Sequence, residues 1–369
     1  MKKQLFFFTG VVLLVLAIGL GWTAYQGQKK PPQPVQRQAR VAMVFNGDKE
    51  DGGWNEAHYR GLEQIRQEMD LYVVYREQIS DQDDSLVAVV DELAEKEKIE
   101  IVFATSHTYG AALKEAARRH PEIKFFHVAG EETASNVATY FGRIYQARYL
   151  TGIVAGLTTK TNQIGYVAAY PIPEVVRGIN AFTLGVRSVN PDAVVHVRWS
   201  GSWNNIGREI STTEKLLKDM PIDVLTQHQN TTHPMEVADR YGIKVIGYNT
   251  DRQADFPDIF LTAPVWNWAP FCKQRLNECF EGRFEGKAYF ESMNGGMLGI
   301  APLSPLVPPE AAAPIQAAEK RLRTQTWDVF YGPIYDQQGR LRVERGENIS
   351  DHELLQHFDW FVQGVEGTL

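Results

Sequence analysis

The sequence predicts an α/β protein made of two similar lobes, each a parallel sheet covered by helices, with a cleft between them. The chain has 369 residues, which exceeds the usual size of a single core and favours two. Short runs rich in Val, Ile and Phe alternate with amphipathic segments of helical length, which is typical of parallel sheets covered on both faces. The same alternation then occurs a second time along the chain.

The first lobe begins after an unusual amino-terminal segment. Apolar runs predict its strands, and segments of helical periodicity between them predict its helices. The predicted strands cover residues 41–45, 72–75, 99–104 and 124–128, and the predicted helices cover 56–69, 85–98 and 110–120. A further helix over residues 145–159 leads into the second lobe.

The second lobe repeats this order. Its predicted strands cover residues 164–168, 194–199, 224–227 and 244–248, its predicted helices cover 173–189, 206–218 and 235–241, and a last helix is predicted over 350–362. Proline-punctuated crossings at 261–264 and 300–309 indicate that the chain passes between the lobes more than once. We therefore expect one lobe from residues 40–162 with about 262–299, and the other from 163–261 with about 300–369.

The amino terminus predicts export. Lys2 and Lys3 precede an almost uninterrupted apolar run over residues 5–22, which is followed by a Pro- and Gln-rich stretch. This order is typical of an export signal over residues 1–25, followed by a tether over 26–39. The apolar run is also near the minimum length for a retained membrane anchor, so cleavage and retention both stay open. Either way, we expect the lobes in the periplasm or at the outer face of the cytoplasmic membrane.

Charge and residue spacing exclude several classes of function. The formal net charge of −7 argues against a nucleic-acid surface, which requires a basic patch. The histidines and cysteines lack metal-ligand spacing, and no catalytic constellation is recognisable. We therefore expect a binding protein without a metal or cofactor rather than an enzyme.

The loop after the first predicted strand is the most informative candidate site. It lies where the carboxyl end of a parallel strand opens into a helix, which is where open α/β folds bind ligands. A phosphate site requires closely spaced glycines or a Gly-Lys-Ser/Thr ending, but this loop carries the acidic Asp48, Glu50 and Asp51. Trp54 follows, and its flat ring suits a planar ligand. The alternative for Trp54 is a packing role against the helix that follows.

Several motifs resemble those of one known family. The block over residues 136–156, the run Ile164-Gly-Tyr-Val-Ala168, the run from Glu174 to Phe182 and the tail Phe330-Tyr-Gly-Pro-Ile334 resemble the signature of the basic membrane protein family, the PnrA-like solute-binding proteins of ABC transporters. The resemblance extends over about residues 40–367. It implies a two-lobed, type I periplasmic-binding-protein fold that closes on a purine base or nucleoside and delivers it to permease subunits in the membrane.

Details within the resemblance bear on the ligand. Gly53-Trp54, Trp203 and the stretch around Trp266 resemble the branch thought to bind free nucleobases such as adenine. Nucleoside-binding relatives usually have a lysine near the position of Trp266, and an Asp-x-Asp-Gln pattern where this chain has Asn249-Thr-Asp-Arg-Gln253. The missing lysine and the missing first acid favour a free base, because ribose hydroxyls call for charged or paired polar partners. Adenine-type and guanine-type bases both remain open.

Three tryptophans are the predicted stacking residues. Trp54, Trp203 and Trp266 each follow the end of a predicted strand, which would bring them to the cleft from different directions. A purine offers two aromatic faces, and each stacking partner contributes about 1 kcal/mol or more. Packing in the core is the alternative for each ring.

Five polar residues are the predicted partners of the base edge. Asn249 and Asp251 follow one predicted strand, and His228 ends another. Carboxylates accept hydrogen bonds from amines and ring N–H groups, and amides both donate and accept. Asn46 and His107 are further candidates for the cleft wall. For Asp251, helix capping is the alternative.

The resulting expectation is an extracytoplasmic solute-binding protein of an ABC transporter. It would bind a purine base or nucleoside by aromatic stacking and lobe closure, without covalent change. The alternative is a membrane-anchored sensor that binds the same ligand and signals through a partner protein.

Overall fold

The computed structural model describes residues 38–369. The predicted export signal and all but the last two residues of the predicted tether lie outside the described residues. Among the helices of residues 38–369, none combines the length and the hydrophobicity that a membrane crossing requires.

The described chain alternates strands and helices over most of its length. The strands are β1 (Ala39–Val44), β2 (Leu71–Arg76), β3 (Ile101–Ala104), β4 (Lys124–Val128), β5 (Val137–Gly142), β6 (Gln163–Ala168), β7 (Val194–Trp199), β8 (Val224–His228), β9 (Lys244–Ile246), β10 (Phe260–Thr262), β11 (Pro264–Trp266), β12 (Ala288–Glu291), β13 (Leu298–Ile300), β14 (Ile334–Tyr335), β15 (Leu341–Val343) and β16 (Val365–Glu366). The α-helices are α1 (Trp54–Arg66), α2 (Ser85–Glu97), α3 (Gly110–Arg119), α4 (Tyr145–Thr158), α5 (Pro173–Val189), α6 (Ile206–Asp219), α7 (His233–Arg240), α8 (Ala269–Phe280) and α9 (Ala312–Arg323).

Two six-stranded sheets form the centres of the two lobes. The first has the strand order β12-β5-β4-β3-β1-β2, and the second has the order β10-β9-β8-β6-β7-β16. In both sheets the first strand of the lobe lies between the second and the third, so the two lobes repeat one winding. The interior strands are fully buried where helices cover both faces, as in β3 and β8. The predicted two-lobed α/β fold is confirmed.

The chain passes between the two sheets more than once. Helix α4 joins β5 of the first sheet to β6 of the second. Helix α8 follows β10 and β11 and leads back to β12, which pairs in parallel with β5. The final part of the chain returns to the second sheet, where β16 pairs in parallel with β7. Strands β11 and β13 form a separate antiparallel ribbon between these passages.

Most predicted elements are confirmed, but one is wrong, and several observed strands were not predicted. Strand β5 was not predicted, although all six of its residues are buried. The predicted helix over residues 350–362 is wrong, because only a short π-helical turn forms at Glu353–His357. After this turn, the backbone is hydrogen-bonded to the Asn180 side chain. That side chain donates to the Trp360 carbonyl at 2.8 Å and accepts from the Val362 amide at 3.0 Å. These bonds replace helical ones and hold the segment extended.

Candidate functional site

A single cleft collects the loops that follow the strands of both sheets. Its cavity has a volume of about 690 Å³ and receives side chains from both lobes. The carboxyl ends of parallel strands meet at one edge of each sheet, so a cleft between two such edges is where this fold class places ligands. The size is within the usual range of small-molecule sites.

The structure brings five of the predicted site residues together in this cleft: Asn46, Trp54, His107, Trp203 and His228. The ring of the exposed His107 is fixed by a hydrogen bond of 2.8 Å from its Nδ1 to the Ala129 carbonyl. The cleft therefore gathers residues from loops that are distant in the sequence.

Three predicted site residues lie away from the cleft lining. Trp266 is buried in the β11–β13 ribbon and stacks on Trp268 at 4.5 Å. Asn249 is fully buried, and its amide donates to the Gln229 carbonyl at 3.3 Å. Asp251 faces solvent and accepts from the Gln253 amide at 3.0 Å, so it caps a local turn. Asn249 and Asp251 depend on the backbone direction after β9, and Trp266 depends on the pairing of β11 with β13, neither of which strand prediction alone supplies.

The indole of Trp54 forms part of the first-lobe wall. It begins α1 and is half-buried, and its Nε1 donates to the Thr105 carbonyl at 2.8 Å. Its ring meets Trp266 and Trp268 edge to face, with centroids 5.8 Å away and interplanar angles of 86° and 83°. These contacts fix the plane of the indole while part of it remains open to the cleft.

A buried aromatic cluster supports that indole from behind. Trp268 is fully buried and stacks on His58 at 4.1 Å, and both rings also contact Tyr140. Burial lowers the pKa of His58 to about 3, so its imidazole is neutral at neutral pH. Trp54 thus lies at the cleft, with the His58 ring beneath it at 4.7 Å.

Polar side chains of the first-lobe wall are already bonded to one another. Asp81 accepts from Asn46 Nδ2 at 2.8 Å, from Ser106 Oγ at 2.6 Å and from Gln82 Nε2 at 2.8 Å. Burial alone would raise the pKa of Asp81, but these hydrogen bonds outweigh it and hold the pKa below its ordinary value. The first-lobe wall therefore carries the Asp81 carboxylate, whose acceptor positions are largely occupied by neighbouring side chains.

The second-lobe wall contributes aromatic rings that sequence reasoning found only in part. Trp203, after β7, meets Tyr170, after β6, at 5.9 Å and His228 at 6.0 Å, in both cases edge to face. Tyr170 is 39% exposed at the mouth of the cleft. Aromatic surface thus faces the cavity from both lobes.

The same wall carries three ionisable residues. Glu174 and Arg177 lie in the first two turns of α5, and Glu174 Oε1 is 3.7 Å from His228 Nε2. Burial lowers the pKa of His228 to about 4, with Arg148 adding to the effect. Burial would raise the pKa of Glu174, but His228 and Arg177 hold it below its ordinary value. At neutral pH the wall therefore presents a carboxylate, a guanidinium and a neutral imidazole.

Contacts between the lobes close one side of the cleft. Thr250 Oγ1 and Arg252 Nε both donate to the Gly52 carbonyl, at 3.0 and 2.9 Å, and Arg252 also forms an ion pair with Glu56. A Cβ atom at Gly53 would lie 1.9 Å from the Asn230 carbonyl oxygen, so only glycine allows this approach. The Gly-rich loop therefore takes part in the contact between the lobes.

Several cleft residues were not predicted as site residues. Phe141 was missed with β5, and Glu174 and Arg177 were noticed only within a family motif. Tyr170 follows the end of β6, so the rule that placed Trp203 would have found it. Within residues 38–369, no group of His, Cys, Asp and Glu side chains could hold a metal ion.

Comparisons with known proteins agree with this geometry. A family model described as ABC transporter substrate-binding protein PnrA-like matches residues 38–324. The chain is 30% identical over 361 residues to a purine-binding protein from Brucella abortus, covering 97% of this chain and 99% of that protein. It is 33% identical over 330 residues to a protein from Haloferax volcanii with the provisional name of an ABC transporter glucose-binding protein, covering 89% of this chain and 81% of that protein. A solved solute-binding protein from Aeropyrum pernix, 17% identical, shares the fold with a TM-score of 0.68 over 85% of this chain and 95% of its own.

Proposed function

The chain belongs to the PnrA-like family of ABC transporter substrate-binding proteins, and from this premise we propose that it binds a purine base or nucleoside outside the cytoplasm. The ligand lies between the lobes and is handed to permease subunits in the membrane without covalent change. Trp54, Trp203 and the polar residues of the two walls hold it.

The observation that carries this proposal is aromatic surface on both sides of one cleft. The lining includes Trp54 and Phe141 from the first lobe and Tyr170 and Trp203 from the second. Stacking of a base on an aromatic side chain is worth about 1–3 kcal/mol per base. A planar heterocycle that contacts both lobes would therefore favour the closed arrangement over an open one.

The names of the two similar proteins suggest different ligands, a purine in one case and glucose in the other. A hexose also stacks on indole rings, but it requires many hydrogen-bonding partners around its rim. Asp81, Asn46 and Ser106 are engaged with one another, which leaves fewer such partners on the first-lobe wall. This favours a planar base.

A thermal-shift titration of the full-length chain tests the proposal. The ligands are adenine, guanine, adenosine and glucose, and uracil serves as a single-ring control. A purine present at 100 times its Kd should raise the free energy of unfolding by about 2.7 kcal/mol. Stabilisation by glucose alone, or by none of the purines, would contradict the proposal.

A further inference from the structure

Two oppositely charged side chains stand next to each other in the second-lobe wall. Glu174 and Arg177 are three residues apart on α5, so they share one face of the helix. Both line the cleft, together with His228. This places an acceptor and a donor side by side on the surface that a ligand would meet.

The Glu174 carboxylate has free acceptor capacity. Its side chain is 21% exposed, and the ion-pair contact with His228 Nε2, at 3.7 Å, is beyond hydrogen-bond range. By contrast, Asp81 on the opposite wall accepts from three side chains at 2.6–2.8 Å. Glu174 is therefore a carboxylate of the second-lobe wall with acceptor capacity available to a ligand.

Arg177 is a buried cation whose nearest charge-compensating contacts are the rings of Phe141 and Phe290, with centroids 5.5 and 5.7 Å from the guanidinium carbon. It is 3% exposed, and the structure gives it no ion pair within residues 38–369. One guanidinium nitrogen, Nη1, donates to the Leu354 carbonyl at 3.1 Å, while Nε is buried without a hydrogen-bond partner. A buried guanidinium with unused donors is costly unless something else pairs with it.

We infer that Glu174 and Arg177 recognise the hydrogen-bonding edge of a purine base. The carboxylate accepts from an exocyclic amine or a ring N–H, and the guanidinium donates to the adjacent ring nitrogen or carbonyl oxygen. His228 is a positioning residue, since its Nε2 faces the carboxylate and its Nδ1 is 3.4 Å from the Tyr166 hydroxyl. This inference rests on the proposed function and adds the residues that select among planar ligands.

The competing role for this pair is structural. Arg177 also ties α5 to the segment 354–356, of which Leu355 and Gln356 line the cleft. A purely structural role would lower the affinity for every ligand to the same extent. A recognition role would change the preference between ligands that differ only at the edge.

Titration calorimetry with adenine and unsubstituted purine, which lacks the amine, separates these roles. The wild-type chain should bind adenine at least about tenfold more tightly than purine, because a hydrogen bond to a charged group is worth about that factor or more. In Glu174→Gln the affinity for adenine should fall about 10-fold or more, whereas the affinity for purine should change less than about threefold. The matched control is Asp251→Asn, a carboxylate outside the cleft, which should leave both affinities unchanged.

Deaza analogues test Arg177 in the same way. Removing the ring nitrogen that the guanidinium contacts should weaken binding, so 1-deazaadenine or 7-deazaadenine should bind less tightly than adenine. In Arg177→Gln that difference should disappear.

Each outcome bears on one claim. Equal binding of adenine and purine by the wild-type chain, or equal losses for both ligands in Glu174→Gln, would overturn the recognition role. Binding of both deaza analogues as tightly as adenine would overturn the role of Arg177. Because the wild-type comparison needs no variant, a variant that fails to fold does not prevent the test. Absence of any purine binding would instead contradict the proposed function itself.

Discussion

The two walls of the cleft differ in how completely their polar groups are hydrogen-bonded within the protein. In the first lobe, Trp54 is hydrogen-bonded and backed by buried rings, and Asp81 is bonded to its neighbours. In the second lobe, Glu174 and Arg177 retain unused hydrogen-bonding capacity. A wall whose polar groups are already hydrogen-bonded suits a rigid surface for stacking. A wall with unpaired donors and acceptors suits discrimination between ligands, because those groups gain most from a ligand that pairs with them.

The substitution Trp54→Ala removes the stacking surface of the first-lobe wall. We expect the Kd for a purine to rise about 10- to 100-fold, because loss of a base–aromatic stack costs about 1–3 kcal/mol. Titration calorimetry measures the change. The matched control is Trp199→Ala, which removes an indole that packs on Phe361 away from the cleft and should leave the Kd unchanged. An unchanged Kd in folded Trp54→Ala would assign that ring to packing.

The lobes also differ in how buried carboxyl groups respond to pH. The pKa of Asp81 lies below its ordinary value, so its contribution to stability is lost as pH falls. Glu209 in the second lobe is fully buried, and burial raises its pKa to about 7, with Glu236 adding to the effect. Its contribution is therefore complete at low pH and is lost between about pH 4.5 and 7, as the unfolded chain gives up the proton first.

Replacing Glu209 tests this difference in the pH dependence of stability. Glu209→Gln should raise the free energy of unfolding at pH 8 relative to the wild-type chain by up to about 3 kcal/mol, and it should change the value at pH 4 little. Urea denaturation at both pH values measures this. Asp239→Asn, which changes an exposed acid on the neighbouring α7, should show no such pH-dependent gain. A Glu209→Gln protein that is equally destabilised at both pH values would show that the ionised carboxylate is needed.

The contact between the lobes can be weakened without changing a residue that lines the cleft. Arg252→Ala removes the ion pair with Glu56 and one of the two hydrogen bonds to the Gly52 carbonyl. We expect about a fivefold higher Kd, arising mainly from faster dissociation, because the closed arrangement loses part of its support. Stopped-flow fluorescence of the tryptophans would report the dissociation rate. An unchanged rate would show that these bonds do not hold the lobes together.

The smallest effect is expected at the position where sequence and structure disagree most. Asp251→Asn should change the Kd for a purine less than about twofold, because the carboxylate caps a turn and faces solvent. A tenfold weaker Kd, measured by titration calorimetry, would restore Asp251 to the binding site.

Sequence patterns predicted the fold better than the site, for physical reasons. Hydrophobic runs and helical periodicity locate elements such as β4 and α5, because buried positions are mostly occupied by apolar residues. Strand β5 was missed because Thr139 and Tyr140 interrupt its apolar character. The carboxyl-edge rule placed Trp54 and Trp203 at the cleft, yet it also selected Trp266, whose side chain turns into a buried stack. Side-chain direction after a strand depends on the next backbone turn, and short motifs do not specify that turn.

The polar residues show the same limit. Glu174 and Arg177 are ordinary charged residues at the start of a helix, and only the position of α5 against the cleft makes them noticeable. Asn249 and Asp251 follow a strand as required, but the backbone at Asn249 has a positive φ of 69°, the Asn249 side chain is buried and Asp251 faces solvent. Charge and spacing identified candidates, whereas the three-dimensional arrangement decided among them.

A crystal structure of the full-length protein grown with adenine tests the proposed binding mode most directly. We expect the base in the cleft, with one face against the Trp54 indole, an aromatic ring of the second lobe on the other side, and its amino edge toward Glu174. A base bound outside the cleft, or held by one lobe alone, would contradict it.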